Sequence, residues 1–111
     1  MPIAHLVADF VGVPPQQLRD GALLHGLLIA AAGAAGLNAI GLPVARSRPD
    51  GGVGLMLLLD DYHIAAHAVP ERQVLLLDVL AASASDARRA LDVFARRLTS
   101  REIRSDTRER G

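Results

Sequence analysis

Leu55-Met56-Leu57-Leu58-Leu59 and Val74-Leu75-Leu76-Leu77 are apolar at every position. Side chains alternate between the two faces of a strand, so a strand built from either run is hydrophobic on both and must be covered on both. The rest of the chain supplies two helices. Asp20 is a fitting N-cap for a helix to about Ala35, with Leu24, Leu27, Leu28 and Ala31 on one face and Gly33 or Gly36 near its end. Ser85 is the expected cap of a second, in which Ala87, Leu91, Phe94 and Leu98 form a stripe and Asp92 is spaced to pair with Arg96. Two helices cover one face of a sheet. The other face then needs a further layer, and a second copy of the chain is the economical source.

Further strands follow from alternation and punctuation. Ala4 to Gly12 places Leu6, Ala8 and Phe10 on one face and His5, Val7 and Asp9 on the other, before Pro14-Pro15 breaks it. Leu37 to Arg46 reads as a second strand, joined through the turn Pro49-Asp50-Gly51-Gly52 to a third at Val53 to Leu59; Val74 to Ala81 is a fourth. From Thr99 onward the chain is polar and charged. We therefore expect one domain over residues 1–98 and a frayed tail over 99–111, with at most a short edge strand at Glu102 to Arg104. The fold class is α+β: a two-layer sandwich of a mainly antiparallel sheet and two helices.

Composition narrows the function. Formal net charge is zero across 111 residues, so neither a nucleic-acid groove nor a membrane-surface patch is expected. All twelve basic residues are arginine and cysteine is absent, which removes the lysine that would hold pyridoxal phosphate, any thiol nucleophile and any disulfide. Gly21 to Leu37, the longest apolar stretch, is interrupted by His25 and is short for a bilayer span, so a buried helix is expected. With no basic, signal-like start, the expected location is cytoplasmic.

One segment carries a family resemblance. Asp60-Asp61-Tyr62-His63-Ile64-Ala65-Ala66-His67-Ala68-Val69-Pro70-Glu71 resembles the processing segment of the small prokaryotic S-adenosylmethionine decarboxylases, in which Glu-Ser-His is followed by Ile-His-Thr-Trp-Pro-Glu. His63, His67, Pro70 and Glu71 keep their places; Asp61 replaces the glutamate, Tyr62 the serine and Val69 the tryptophan. The similarity extends through His5 to Phe10 as the family's first strand, Leu24 to Gly36 as its first helix, Gly51 to Leu59 as the Gly-rich entry to its central hairpin and Leu75 to Ala81 as the strand bearing its catalytic cysteine. In this register that cysteine becomes Ala82, a processing serine becomes Gly54, and an aromatic binding residue becomes Ser47. The resemblance implies the family's fold, an extended segment at 62–68 and pairing of two protomers.

Family members cleave themselves when a serine hydroxyl attacks the preceding carbonyl and β-elimination of the resulting ester leaves a pyruvoyl group. Tyr62 has no β-oxygen, and its phenol lies across a rigid ring. The expectation is an uncleaved chain with no pyruvoyl cofactor and no pyruvoyl-dependent decarboxylation.

His63 and His67 form no metal pair in an extended segment, where four residues span about 13 Å. The candidate site is an acid-base or ligand pocket of Asp61, Tyr62, His63 and His67, with Glu71 beside it; the family position matching His67 moves a proton during processing. Asp78 interrupts an apolar strand and should pair with an arginine or histidine. The expected function is that of a decarboxylase-like homodimer that binds a small ligand or regulates an active decarboxylase paralogue. The alternatives are a repurposed enzyme doing cofactor-independent acid-base chemistry in the ancestral pocket, and the family's own decarboxylation in spermidine biosynthesis.

Overall fold

A computed structural model describes residues 3–111. Its order is β1 (Ile3–Val11), α1 (Pro15–Leu18), α2 (Gly21–Ala34), β2 (Val44–Ser47), β3 (Val53–Leu58), β4 (His63–Val69), a 3-10 turn at Pro70–Arg72, β5 (Val74–Ala81), α3 (Ala84–Arg97) and β6 (Glu102–Arg110). The strands form one six-stranded sheet, β2-β3-β4-β5-β1-β6, antiparallel throughout. Helices α2 and α3 lie on one face of it and enclose a single core.

Alternation decides which side chains enter that core. Leu6, Ala8 and Phe10 from β1, Leu55 and Leu57 from β3, Ile64, Ala66 and Ala68 from β4, and Leu75, Leu77 and Val79 from β5 point under the helices and are buried. They meet Leu24, Leu27 and Leu28 of α2 and Ala87, Leu91 and Phe94 of α3, where Phe10 and Phe94 pack with ring centroids 6.3 Å apart. Asp20 caps α2, its carboxylate accepting from the Leu23 N–H at 3.0 Å. The helix closes at Ala35, with Gly36 at φ +70°. Asp20→Ala is expected to cost about 1 kcal/mol, read as a lower urea midpoint with an unchanged slope.

Several expectations need correction. The cap of α3 is Ser83, whose hydroxyl accepts from the Asp86 N–H at 3.1 Å; Ser85 lies inside the first turn. Asp92 pairs back to Arg88 at 3.3 Å instead of forward to Arg96. The second strand is only Val44–Ser47, because residues 36–43 cross the end of the sheet as a loop that touches it through a single bridge, Ala39 to Leu59. Apolar residues in that loop mimic a strand, yet Ile40 and Leu42 remain exposed.

The largest correction concerns residues 99–111, which form no frayed tail. β6 pairs with β1 along its whole length, from Ile3 opposite Arg110 to Val11 opposite Glu102. Every residue of β6 is exposed, so backbone pairing and cross-strand charge hold it there in place of apolar burial. Arg104 stands opposite Asp9, and the pull of Glu102, with a smaller one from Asp9, raises its already high pKa. The domain thus runs through residue 110, and the sheet has six strands, not four.

No helix among the described residues is long and apolar enough to cross a membrane.

Candidate functional site

Among the described residues, no helix lies over the second face of the sheet. Val7, Met56, Leu58 and Leu76 project from it and keep 41–56% of their surface exposed. The polar candidates lie on this face or at its end, and they fall into three separate places.

The first is the turn between β3 and β4. The Leu59 N–H donates to the Tyr62 carbonyl and the Asp60 N–H to the Asn38 carbonyl, each at 2.8 Å, which fixes the loop 36–43 against the turn. A cavity of about 100 Å³ opens here, lined by Asn38, Asp60, Asp61, Tyr62 and Ala82 among others. Tyr62 and Ala82, distant in sequence, therefore share one cavity. That volume is well below the ~300 Å³ at which sites for sizeable ligands begin.

The second lies in mid-sheet. Asp78 on β5 accepts from His5 Nε2 at 2.6 Å and has His63 Nε2 at 3.9 Å from its other oxygen. The register produces this: His5 and His63 both pair with Leu80, two residues along β5 from Asp78, so the carboxylate meets both imidazoles on the diagonals. A carboxylate only accepts, so His5 Nε2 carries a proton; Nδ1 faces the Arg110 guanidinium at 3.4 Å, where it accepts. The expected histidine partner of Asp78 is thus present twice, and one of the two, His5, was not among the candidates.

The third place holds His67. It lies on β4 beside Gly54 of β3, which in turn faces Arg46 of β2. Arg48 stands behind, donating to the Ala68 carbonyl and 3.6 Å from Asp50. The Gly52 N–H, a hydrogen bond with Glu71 and the Arg48 charge hold the Asp50 carboxyl below its usual pKa. Arg46, Arg48, Gly54 and His67 line a recess of about 200 Å³.

Asp61, Tyr62, His63 and His67 consequently do not form one pocket in a single chain. Asp61 and Tyr62 line the turn cavity, His63 joins His5 and Asp78, and His67 lies five residues along β4 from Tyr62, about 16 Å at the rise of an extended strand. His63 and His67 share a face and cannot reach one ion, for the same reason.

The sequence profile of S-adenosylmethionine decarboxylase matches residues 4–111. The chain belongs to the S-adenosylmethionine decarboxylase family. Its structure is similar to the crystal structure of the adenosylmethionine decarboxylase from Aquifex aeolicus VF5, with a TM-score of 0.90 at 28% identity over 99% of this chain and 91% of that one. No curated protein matches it by sequence. Family membership extends through β6, which places the final strand within the shared scaffold.

The turn that the resemblance aligns with the family's processing segment holds a phenol, Tyr62, and the cavity beside it is completed, just past the end of β5, by the methyl group of Ala82.

Proposed function

We propose that this family member stays uncleaved, carries no pyruvoyl group and acts as a small-ligand-binding or regulatory subunit, stacked through its open sheet face on a second copy or on an active paralogue. The carrying observation is chemical. Between Ser47 and Ser83 the sole side-chain hydroxyl is the Tyr62 phenol, and the chain has no cysteine and no lysine. Neither self-acylation at the turn nor an imine-based electron sink is open to such a chain.

The pairing rests on area and chemistry. Six strands about 4.8 Å apart and roughly seven residues long offer about 600 Å² of flat footprint, and more as accessible surface. A standard interface takes about 800 Å² from each partner. Val7, Met56, Leu58 and Leu76 give that face the apolar centre such an interface needs.

Repurposed acid-base catalysis is the weaker reading. The carboxylate-imidazole array of His5, Asp78 and His63 suits proton transfer, but it lines neither the turn cavity nor the recess at His67.

The test is incubation of the purified protein with S-adenosylmethionine, following both carbon dioxide release and thermal stability. A ligand at one hundred times its Kd stabilises by about 2.7 kcal/mol. We expect no release and no upward shift at millimolar S-adenosylmethionine; turnover would return the chain to the family's activity.

A further inference from the structure

The face proposed for pairing carries three imidazoles. His5 on β1 and His63 and His67 on β4 stand on the open side of the sheet, whereas the fourth histidine, His25, sits on α2 in the other layer. The strands also set Arg46, Arg104, Arg108 and Arg110 on the open side, against the carboxylates of Asp9, Asp78, Glu102 and Asp106. These charges cancel, and Arg48 and Asp50 at the adjoining turn pair with each other. With neutral imidazoles the face has no formal charge, so two copies can stack without net repulsion. Every proton added to a ring then charges both copies alike, because a two-fold contact buries the same patch twice.

The centre of the face shows where a proton can go. Asp78 accepts from His5 Nε2 at 2.6 Å, and Arg110 donates to His5 Nδ1 at 3.4 Å. Both ring nitrogens of His5 are thus committed, and a second proton would set an N–H against the guanidinium where an acceptor is needed. His63 is not so held. Its Nε2 lies 3.9 Å from the other Asp78 oxygen, beyond hydrogen-bond reach, and its cross-strand neighbours, Leu58 on β3 and Leu80 on β5, are apolar. The charge of Asp78 is already matched: Asp78 and Asp106 offset Arg108 and Arg110, which stand beside β1 on β6. His67, further along β4, has no carboxylate within ion-pair distance among the described residues and shares its recess with Arg46 and Arg48. In a single chain the His63 side chain keeps 29% of its surface exposed, so water and protons reach it until a second copy covers the face.

We propose that pairing through the open face is switched by protonation of His63 and His67, the pair holding while both rings are neutral and loosening as acid charges them. The inference rests on the proposed stacking of a second copy. A charge buried without a partner is costly, so association favours the copies whose rings have released their protons. Imidazoles take up protons as the pH falls through about 6.5, whereas carboxylates do so near 4, which leaves the window between about pH 5.5 and pH 8 to histidine. The sign follows from linkage: the stacked pair binds fewer protons than two free chains, so it weakens as the pH falls. An imidazole of ordinary basicity is about nine-tenths protonated at pH 5.5; shedding one proton from each copy then weakens the pair about a hundredfold.

Sedimentation velocity on the intact chain, at several protein concentrations and constant ionic strength, tests this at pH 8 and pH 5.5. The dissociation constant should rise about a hundredfold or more at the lower pH, with unchanged circular dichroism. The double variant His63→Gln with His67→Gln should flatten that response to about threefold or less, whatever its affinity at pH 8. His25→Gln, in the helical layer, should keep the full response. A dissociation constant that is unchanged or smaller at pH 5.5, a full response in the double variant, or loss of circular dichroism along with dissociation would overturn the switch. A pair that forms equally well at both pH values would overturn the switch alone and leave the stacking intact. A parent that is monomeric at pH 8 would overturn the stacking, and the switch with it.

Discussion

A single polypeptide containing both Asp61 and Tyr62 is the expected result of intact mass spectrometry on the purified protein, with no pair of fragments divided between those residues. Cleavage of the family's type needs an oxygen on the β-carbon of the residue after the scissile carbonyl. It forms a five-membered ring on attack and leaves by elimination afterwards. The phenol oxygen of Tyr62 lies on the far side of an aromatic ring and can do neither. No neighbour substitutes for it, since the register position of a second processing serine is Gly54 and the cavity beside Tyr62 is completed by Ala82. The effect is all or none: incubation for days should yield no smaller species. Tyr62→Ser restores the attacking oxygen and is the informative variant, expected to show slow cleavage where the parent shows none. A blocked fragment beginning at residue 62 in the unaltered protein would refute the chemistry outright.

Loss of assembly without loss of folding is expected from Leu76→Asp. Leu76 lies on β5 with its side chain on the open face, flanked by His67 and Asp9, and the helix-side core does not include it. A face-to-face pair would bury the new carboxylate in both copies. An unpaired buried charge costs several kcal/mol, enough to dissociate a micromolar dimer. Sedimentation velocity should give a dimer for the parent and a monomer for the variant, with unchanged circular dichroism. A monomeric parent, or a variant that stays dimeric, would show that the open face is not the contact.

Most of the sheet was legible because its strands obey period two or are apolar throughout. β1 announces its buried face through Leu6, Ala8 and Phe10, and β5 through residues that hydrophobic neighbours cover. β6 was legible only as a short edge strand at Glu102 to Arg104, since a strand of alternating charge held by backbone pairing to β1 leaves no apolar pattern to show its full length. The stretch before β2 misled in the opposite sense: Leu37, Ile40 and Leu42 look like strand residues but belong to a loop.

The candidate site was legible one residue at a time and not as an arrangement. Asp78 showed itself as a carboxylate in an apolar strand, whereas naming His5 as its partner requires the order β4-β5-β1 and its register. No pattern in the sequence singles out Arg46 or Arg48. Only the pairing of Arg46 with Gly54, and of Gly54 with His67, brings them to one recess.

The two borders of the sheet limit what the protein can polymerise into. One is the four-residue β2; the other is β6, which carries Glu102, Arg104, Asp106, Arg108 and Arg110 toward one side and Glu109 toward the other. A border so short or so charged is a poor template for another backbone, so sideways growth into ribbons or fibrils is disfavoured. Contact through the flat face closes on itself under two-fold symmetry. If the flat face pairs as proposed, raising the protein concentration should therefore saturate at a fixed particle size, where open borders would let the hydrophobic sheet keep growing.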